Sequence, residues 1–285
     1  MAVPSGRASR RAAAGLVATV PAQAAEVVSS NIVGYNKITL QPGLNMLSSQ
    51  FFTVGANGAT LDLTDATNMT GQPSFDENGD AQTTIRFWTG GGYHSLSWAG
   101  NLTGENPDMA EEIEEELEVD PATLNNHWLD SSYEVADDEL SKGEGFWIYA
   151  KNAGSFLLAG EVSPETSFTN NLAVGLNMVS SPWPMEMPLT KIIVTGQPSF
   201  DENGDAQTTI RIWTGGGYHS LSWAGNLTEE NPDMAEEIEE ELEVDPATLN
   251  NHWLDSSYEV ADDVISIGTS FWIYAKNAGK VIFNK

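Results

Sequence analysis

At 285 residues the chain is long enough for two domains of ordinary size, and 40% hydrophobic content with nine tryptophans argues for folded cores rather than disorder. The absence of cysteine excludes disulfides, thiolate metal sites and cysteine nucleophiles. A formal net charge of −29 disfavours nucleic acid and anionic membranes as partners, since holding either needs a cationic surface. Two readings of the acidity remain, a solvated self-repelling surface and one that gathers divalent cations; the first asks less of the chain.

Residues 1–24 read as a signal peptide. Arg7, Arg10 and Arg11 form a basic region, residues 12–20 a short apolar run, and Ala22, Gln23 and Ala24 a small-x-small cleavage site. The apolar run is too short to span a bilayer. The Arg10-Arg11 pair leaves the general secretory and twin-arginine routes both open. Without this leader the chain carries nine basic against 41 acidic side chains, a net charge of −32. No other stretch approaches the length of a membrane helix. The expectation is export to the periplasm, cell surface or medium, without membrane insertion.

Residues 31–40 and 44–49 read as two strands around a Pro42-Gly43 turn, and residues 172–181 repeat residues 40–49. The segments 51–69 and 182–194 are divergent connectors. Next comes a long duplication. Residues 70–138, beginning TGQPSFDENGDAQTTIRFWTGGGYHSLSWAGN, return as residues 195–263 with two differences, Phe87 to Ile212 and Gly104 to Glu229. Two repeat units are therefore expected, at 25–160 and 161–285.

Inside the duplicated block, residues 83–98 predict a β-hairpin across Gly90, Gly91 and Gly92. Parity sets its register. With Trp88 opposite Tyr93, the residues Ile85, Phe87, His94 and Leu96 share one face, and Arg86, Trp88, Tyr93 and Ser95 the other. Asn106 and Pro107 then open a helix as cap and first position. Met109, Ile113 and Leu117 form one narrow apolar stripe among Glu111, Glu112, Glu114, Glu115, Glu116 and Glu118. Each like-charged i,i+4 pair there costs about 0.2–0.5 kcal/mol. The helix should stop before Pro121. Each unit closes on an aromatic strand, GFWIYAKNAG or SFWIYAKNAG, followed by an apolar one. Strands dominate, so the expected fold is mainly β: two tandem sandwich or barrel-like domains, each carrying one acidic amphipathic helix.

Near-identity inside the block beside drift outside it points to recent copying, so the sameness of the copies carries no functional weight. The drifted flanks keep Gly43/Gly175, Asn45/Asn177, Gly143/Gly268 and the FWIYAKNAG runs, as a scaffold would. With its NIVGYNKITLQPGLNMLSSQF, IRFWTGGGYHSLSW and LSKGEGFWIYAKNAGSFLLAGEV stretches, the unit resembles exported tandem-repeat proteins common in the Planctomycetes–Verrucomicrobia group. Their units combine a Gly-x-Asn strand, a Trp-Gly-Tyr hairpin and a Gly-x-Gly-Phe-Trp closing strand. The resemblance covers most of both units and implies export, a β-rich repeat and no established activity. The acidic helix departs from that pattern.

Two candidate sites emerge. The hairpin face of Arg86, Trp88 and Tyr93, with its copy Arg211, Trp213 and Tyr218, offers flat rings and hydrogen-bonding groups to sugars, and two copies would give avidity. The plainer reading packs Trp88 and Tyr93 beneath the acidic helix as a second small core. Asp76, Asn78 and Asp80, copied as Asp201, Asn203 and Asp205, space oxygen ligands as calcium loops do. However, Ala81 and Phe87 stand where an EF-hand needs its glycine and its bidentate glutamate. A plain Asn-Gly turn is the simpler account, so no cofactor is expected, with calcium the one candidate. The four histidines lack zinc spacing, and no nucleophile elbow, phosphate loop or dinucleotide fingerprint appears. The expectation is a non-catalytic exported structural or adhesive protein, its partners polysaccharide or other surface proteins. A carbohydrate-binding module is the first alternative and an extracellular hydrolase the second.

Overall fold

The computed structural model describes residues 33–51, 60–63 and 69–285. The predicted leader and most of the first connector lie outside the described residues. Each repeat builds the same set of sheets. In repeat one a five-stranded antiparallel sheet runs in the order Gly43–Ser48, Gly145–Ala150, Thr84–Trp88, Tyr93–Trp98, Trp128–Leu129. A three-stranded sheet joins Val33–Leu40, Gly154–Glu161 and Met69–Thr70, and Thr60–Asp62 pairs with Glu139–Ser141. Repeat two reproduces all three sheets from its own strands. The fold is mainly β, as expected.

The two larger sheets of each repeat pack face to face. Ile85, Phe87, Leu96, Phe146 and Ile148 point inward from the five-stranded sheet, and Leu40, Met69, Phe156 and Leu158 meet them from the other. Phe146 and Phe156 touch across the layers at 6.2 Å, edge to face. Trp98 and Trp128 fill one end of this core, 5.1 Å apart. Trp223 and Trp253 do the same in repeat two. Burying side chains of this size contributes roughly 1.5–3 kcal/mol each.

The strands flanking the Pro42-Gly43 turn belong to different sheets, so this turn is a corner of the sandwich. Asn45 holds the corner: its carboxamide accepts from the Gln41 N–H at 2.9 Å and donates to the carbonyls of Gln41 (2.8 Å) and Gly43 (3.0 Å). Asn177 makes the same clasp on Ala173 and Gly175. Gly43 and Gly175 adopt φ near +97° and +95°, where a side chain is strained. That is why these two pairs persist in the drifted flanks.

The hairpin forms in the register that parity selects, with Trp88 opposite Tyr93, Phe87 opposite His94 and Ile85 opposite Leu96. His94 lies on the core side yet stays half-exposed at its rim, against Phe87 and 3.3 Å from Asp138. The acidic helix spans Pro107–Leu117; Asn106 caps it by accepting from the Met109 N–H, and it ends at Glu118 in a left-handed conformation. A short helix, Leu102–Glu105, precedes it and was not foreseen from the sequence. Met109, Ala110 and Ile113 bury against Phe75, Ala99, Leu102, Leu124 and Leu129. The helix thus covers its own satellite core, and the aromatic hairpin face lies elsewhere. No helix among the described residues is long and apolar enough to cross a membrane.

Candidate functional site

The outward face of each five-stranded sheet presents Met46, Trp88 and Trp147 in repeat one and Met178, Trp213 and Trp272 in repeat two. These six side chains form a single apolar cluster between the repeats. Trp88 meets Trp272 at 5.6 Å and Trp213 meets Trp147 at 5.5 Å, both edge to face. The Trp88 indole N–H donates to the Leu176 carbonyl (3.0 Å), and that of Trp213 to the Leu44 carbonyl (3.3 Å). The Ser48 N–H donates to the Gly268 carbonyl and the Ser180 N–H to that of Gly143, at 3.0 and 2.9 Å. Each contact has its counterpart with the roles of the repeats exchanged. The junction therefore has the logic of a two-fold dimer interface built within one chain.

Packing of Trp88 and Tyr93 under the acidic helix is corrected by this arrangement, because the other repeat supplies the cover. The copies converge as well. At the local axis the backbone of Gly145 lies against Ser270, its own counterpart, and a Cβ added there would sit 2.6 Å from the Ser270 hydroxyl and 2.7 Å from Met178 Cγ. Only one of the two positions can carry a side chain. Gly143 and Gly268, both at φ near +80°, face the first strand of the opposite repeat just as closely, at Phe168 and Asn36 respectively.

At the open side of the cluster Tyr93 and Tyr218 remain 48% and 46% exposed. They stand edge to face against Trp88 and Trp213, at 5.3 and 5.1 Å. Burial of its inner edge raises the Tyr93 hydroxyl above the ordinary tyrosine range, opposed by a hydrogen bond with Trp147; the nearby Tyr218 adds to the rise, and Arg86 opposes it. Arg86 and Arg211 lie on the same outward faces and are exposed. Of the predicted sugar platform, then, the tryptophans are engaged between repeats, while the tyrosines and arginines still face solvent.

The residues that make the junction asymmetric come from the drifted flank. Buried Lys142 donates to Ser163 Oγ (2.9 Å) and Glu165 Oε2 (2.7 Å) in the linker and sits 4.5 Å from the Phe168 ring. Burial pulls the Lys142 ammonium below the usual lysine range, with Glu165 opposing; Lys142 in turn holds Glu165 below the usual carboxylate range. The equivalent position in repeat two is the exposed Ile267. Glu144 bridges to Val179 across the junction and corresponds to Thr269. Burial pushes its carboxyl above the usual range, against the Ser141 N–H that favours the charged form. A raised carboxylate pKa disfavours the folded state above that pKa, and the cost disappears as pH falls through it. Glu144→Thr is therefore expected to raise the thermal midpoint at pH 7 and to lose that advantage by pH 4. An equal gain at both pH values would refute a charge-based cause.

The predicted calcium loop is tied to the helix. Asp76 Oδ1 accepts from the N–H groups of Asn78 and Asp80, both at 3.0 Å, and Oδ2 accepts from Gln82 Nε2 at 2.9 Å. Its carbonyl receives the Asn106 side chain at 2.6 Å, so one residue links the loop to the helix cap. Asp201 repeats the set with Asn203, Asp205, Gln207 and Asn231. Between loop and helix lies a groove of about 540 Å³, where Glu77 faces the helix stripe Asp108, Glu112 and Glu116; its copy is about 320 Å³. Among the described residues, no group of three or more His, Asp or Glu side chains is arranged to hold a metal ion. Both oxygens of Asp76 already serve N–H donors. Asp76→Ala removes three charge-assisted hydrogen bonds, two of them at the surface, and is accordingly expected to cost about 1–3 kcal/mol. Thermal melts with calcium and with chelator should coincide, and a chelator-sensitive midpoint would restore the calcium reading.

The histidines are dispersed. His94 and His219 pair with Asp138 and Asp263, while His127 and His252 bond the carbonyls of Asn125 and Asn250. No family model, curated protein or solved structure matches this chain. Sequence reasoning missed Met46, Gly145, Trp147 and Lys142 as junction residues. The available signal was the local departure of SKGEGFW from SIGTSFW, since an imperfect repeat reveals where two copies cannot be identical.

Proposed function

We propose that the chain is a non-catalytic exported repeat protein with a structural or adhesive role at the cell surface or beyond it. The observation that carries this reading is the destination of its reactive-looking residues. The paired tryptophans dock one repeat on the other, the Asp-Asn-Asp loop braces a helix, and the buried lysine pins the linker. A leader-like N-terminal segment and the resemblance to exported tandem-repeat proteins support the location. Two measurements test it on the producing cell. Mass spectrometry of the mature protein should find cleavage before Ala25, and protease shaving of intact cells should release the repeats. An uncleaved chain retained in the cytoplasm would end the proposal.

A second reading, a carbohydrate-binding module, is favoured by Tyr93 and Tyr218 remaining half-exposed beside Arg86 and Arg211. Sugar stacking at this rim would perturb the adjoining tryptophans, so a fluorescence titration against a panel of polysaccharides decides between the two. Saturable change with any glycan, abolished by Tyr93→Ala with Tyr218→Ala, would establish the module. Silence across the panel would leave the structural role.

A further inference from the structure

Every sheet takes its strands from a single repeat. Each repeat also has its own large hydrophobic core, separate from the tryptophan cluster. Contacts across the junction are side-chain packing, the two indole–carbonyl hydrogen bonds, side-chain hydrogen bonds from Asn170 to the Gly143 carbonyl and from Ser180 to that of Glu144, Lys142 over the Phe168 ring, two symmetric backbone hydrogen bonds and two isolated bridges, Leu47 with Thr269 and Glu144 with Val179. One short linker, residues 162–166, joins the strands Gly154–Glu161 and Ser167–Leu172. Repeat one thus recognises repeat two through a complementary face, and apart from the linker contacts of Lys142 and Lys285 its bonds run between the repeats themselves. Such a junction can be made between chains as well as within one.

We infer that the inter-repeat face is an exchangeable interface whose second partner is another copy of this chain. In the exchanged form, repeat one of each molecule docks on repeat two of the other, rebuilding both tryptophan clusters in a closed pair. The short linker holds the repeats at an effective concentration on the order of millimolar, so dilute protein closes on itself. Exchange takes over where chains are packed at comparable density, as in a surface layer. The inference rests on the structural and adhesive reading for its use, and it names the partner that reading lacks.

Complementation between full-length chains tests it. Gly145→Arg spoils the face of repeat one and Ser270→Arg that of repeat two, so neither chain can close alone. Mixed, they still possess one intact face each, and exchange pairs these two. Light scattering after size exclusion should show single chains for each variant at tens of micromolar and a doubled mass for the mixture only. Circular dichroism establishes that both variants are folded. Should either fail, Met46→Glu with Met178→Glu poses the same question from a different strand. A mixture that stays at the mass of one chain overturns the exchange, while protease shaving and the glycan titration judge the underlying role separately.

Discussion

Gly145→Ser is expected to destabilise the protein by about 1–3 kcal/mol, the usual cost of forcing atoms into a packed interior. The new Cβ would fall against Ser270, and neither side can yield easily, because both positions are buried on central strands. The compensating change is dictated by the pseudo-symmetry. Ser270→Gly returns the vacancy to the axis, so the double variant should recover most of the loss although it inverts the natural arrangement. Ser270→Gly alone should be nearly neutral, since its hydroxyl is buried without a hydrogen-bond partner. Denaturant melts of the four proteins give the coupling directly. Additive effects would mean that the two positions do not face each other, and the two-fold description of the junction would fail with them.

How far the sequence reaches is instructive at the hairpin. Its register, its turn and the identity of its two faces were legible, because a period of two and a triple-glycine turn leave one consistent pairing. The helix cap at Asn106 and the β class were legible for similar local reasons. What covers the Trp88 face was not. A helix, a sugar and another repeat present the same requirement to a strand, namely flat apolar surface, and local pattern cannot choose among covers. The corner at Asn45 shows the opposite case, where a residue retained in a drifting flank has a purely local hydrogen-bonding cause. At Gly145 the clue was present but inverted. Loss of a repeat's regularity, GEGFW beside GTSFW, marked the place where the copies meet. The predicted ligand residues divide accordingly: Trp88 and Trp213 went to the junction and Asp76 and Asp201 to bracing a loop, leaving Arg86, Tyr93, Arg211 and Tyr218 facing solvent.

Truncation of the junction tryptophans should have the largest effect of all. Trp147→Ala and Trp272→Ala each remove a side chain only 4% exposed, and about 3–5 kcal/mol is expected for each. The decisive quantity is which pairs are coupled. By sequence, Trp147 belongs with Trp88 of its own repeat; by structure, its ring partner is Trp213 of the other. A double-mutant cycle on Trp147 and Trp213 should therefore return about 0.5–1.5 kcal/mol, the usual worth of an edge-to-face aromatic pair. The cycle on Trp147 and Trp88 should return less, and that on Trp272 and Trp88 should match the first. The unfolding profile adds a second reading. While the junction is intact the repeats should melt together, because losing either one exposes the aromatic face of the other. With Trp147 and Trp272 both truncated, that shared surface is gone, each repeat keeps its own core, and two separable transitions are expected. A single sharp transition in that variant, with coupling confined within repeats, would show that the tryptophans stabilise each repeat internally and do not join the two.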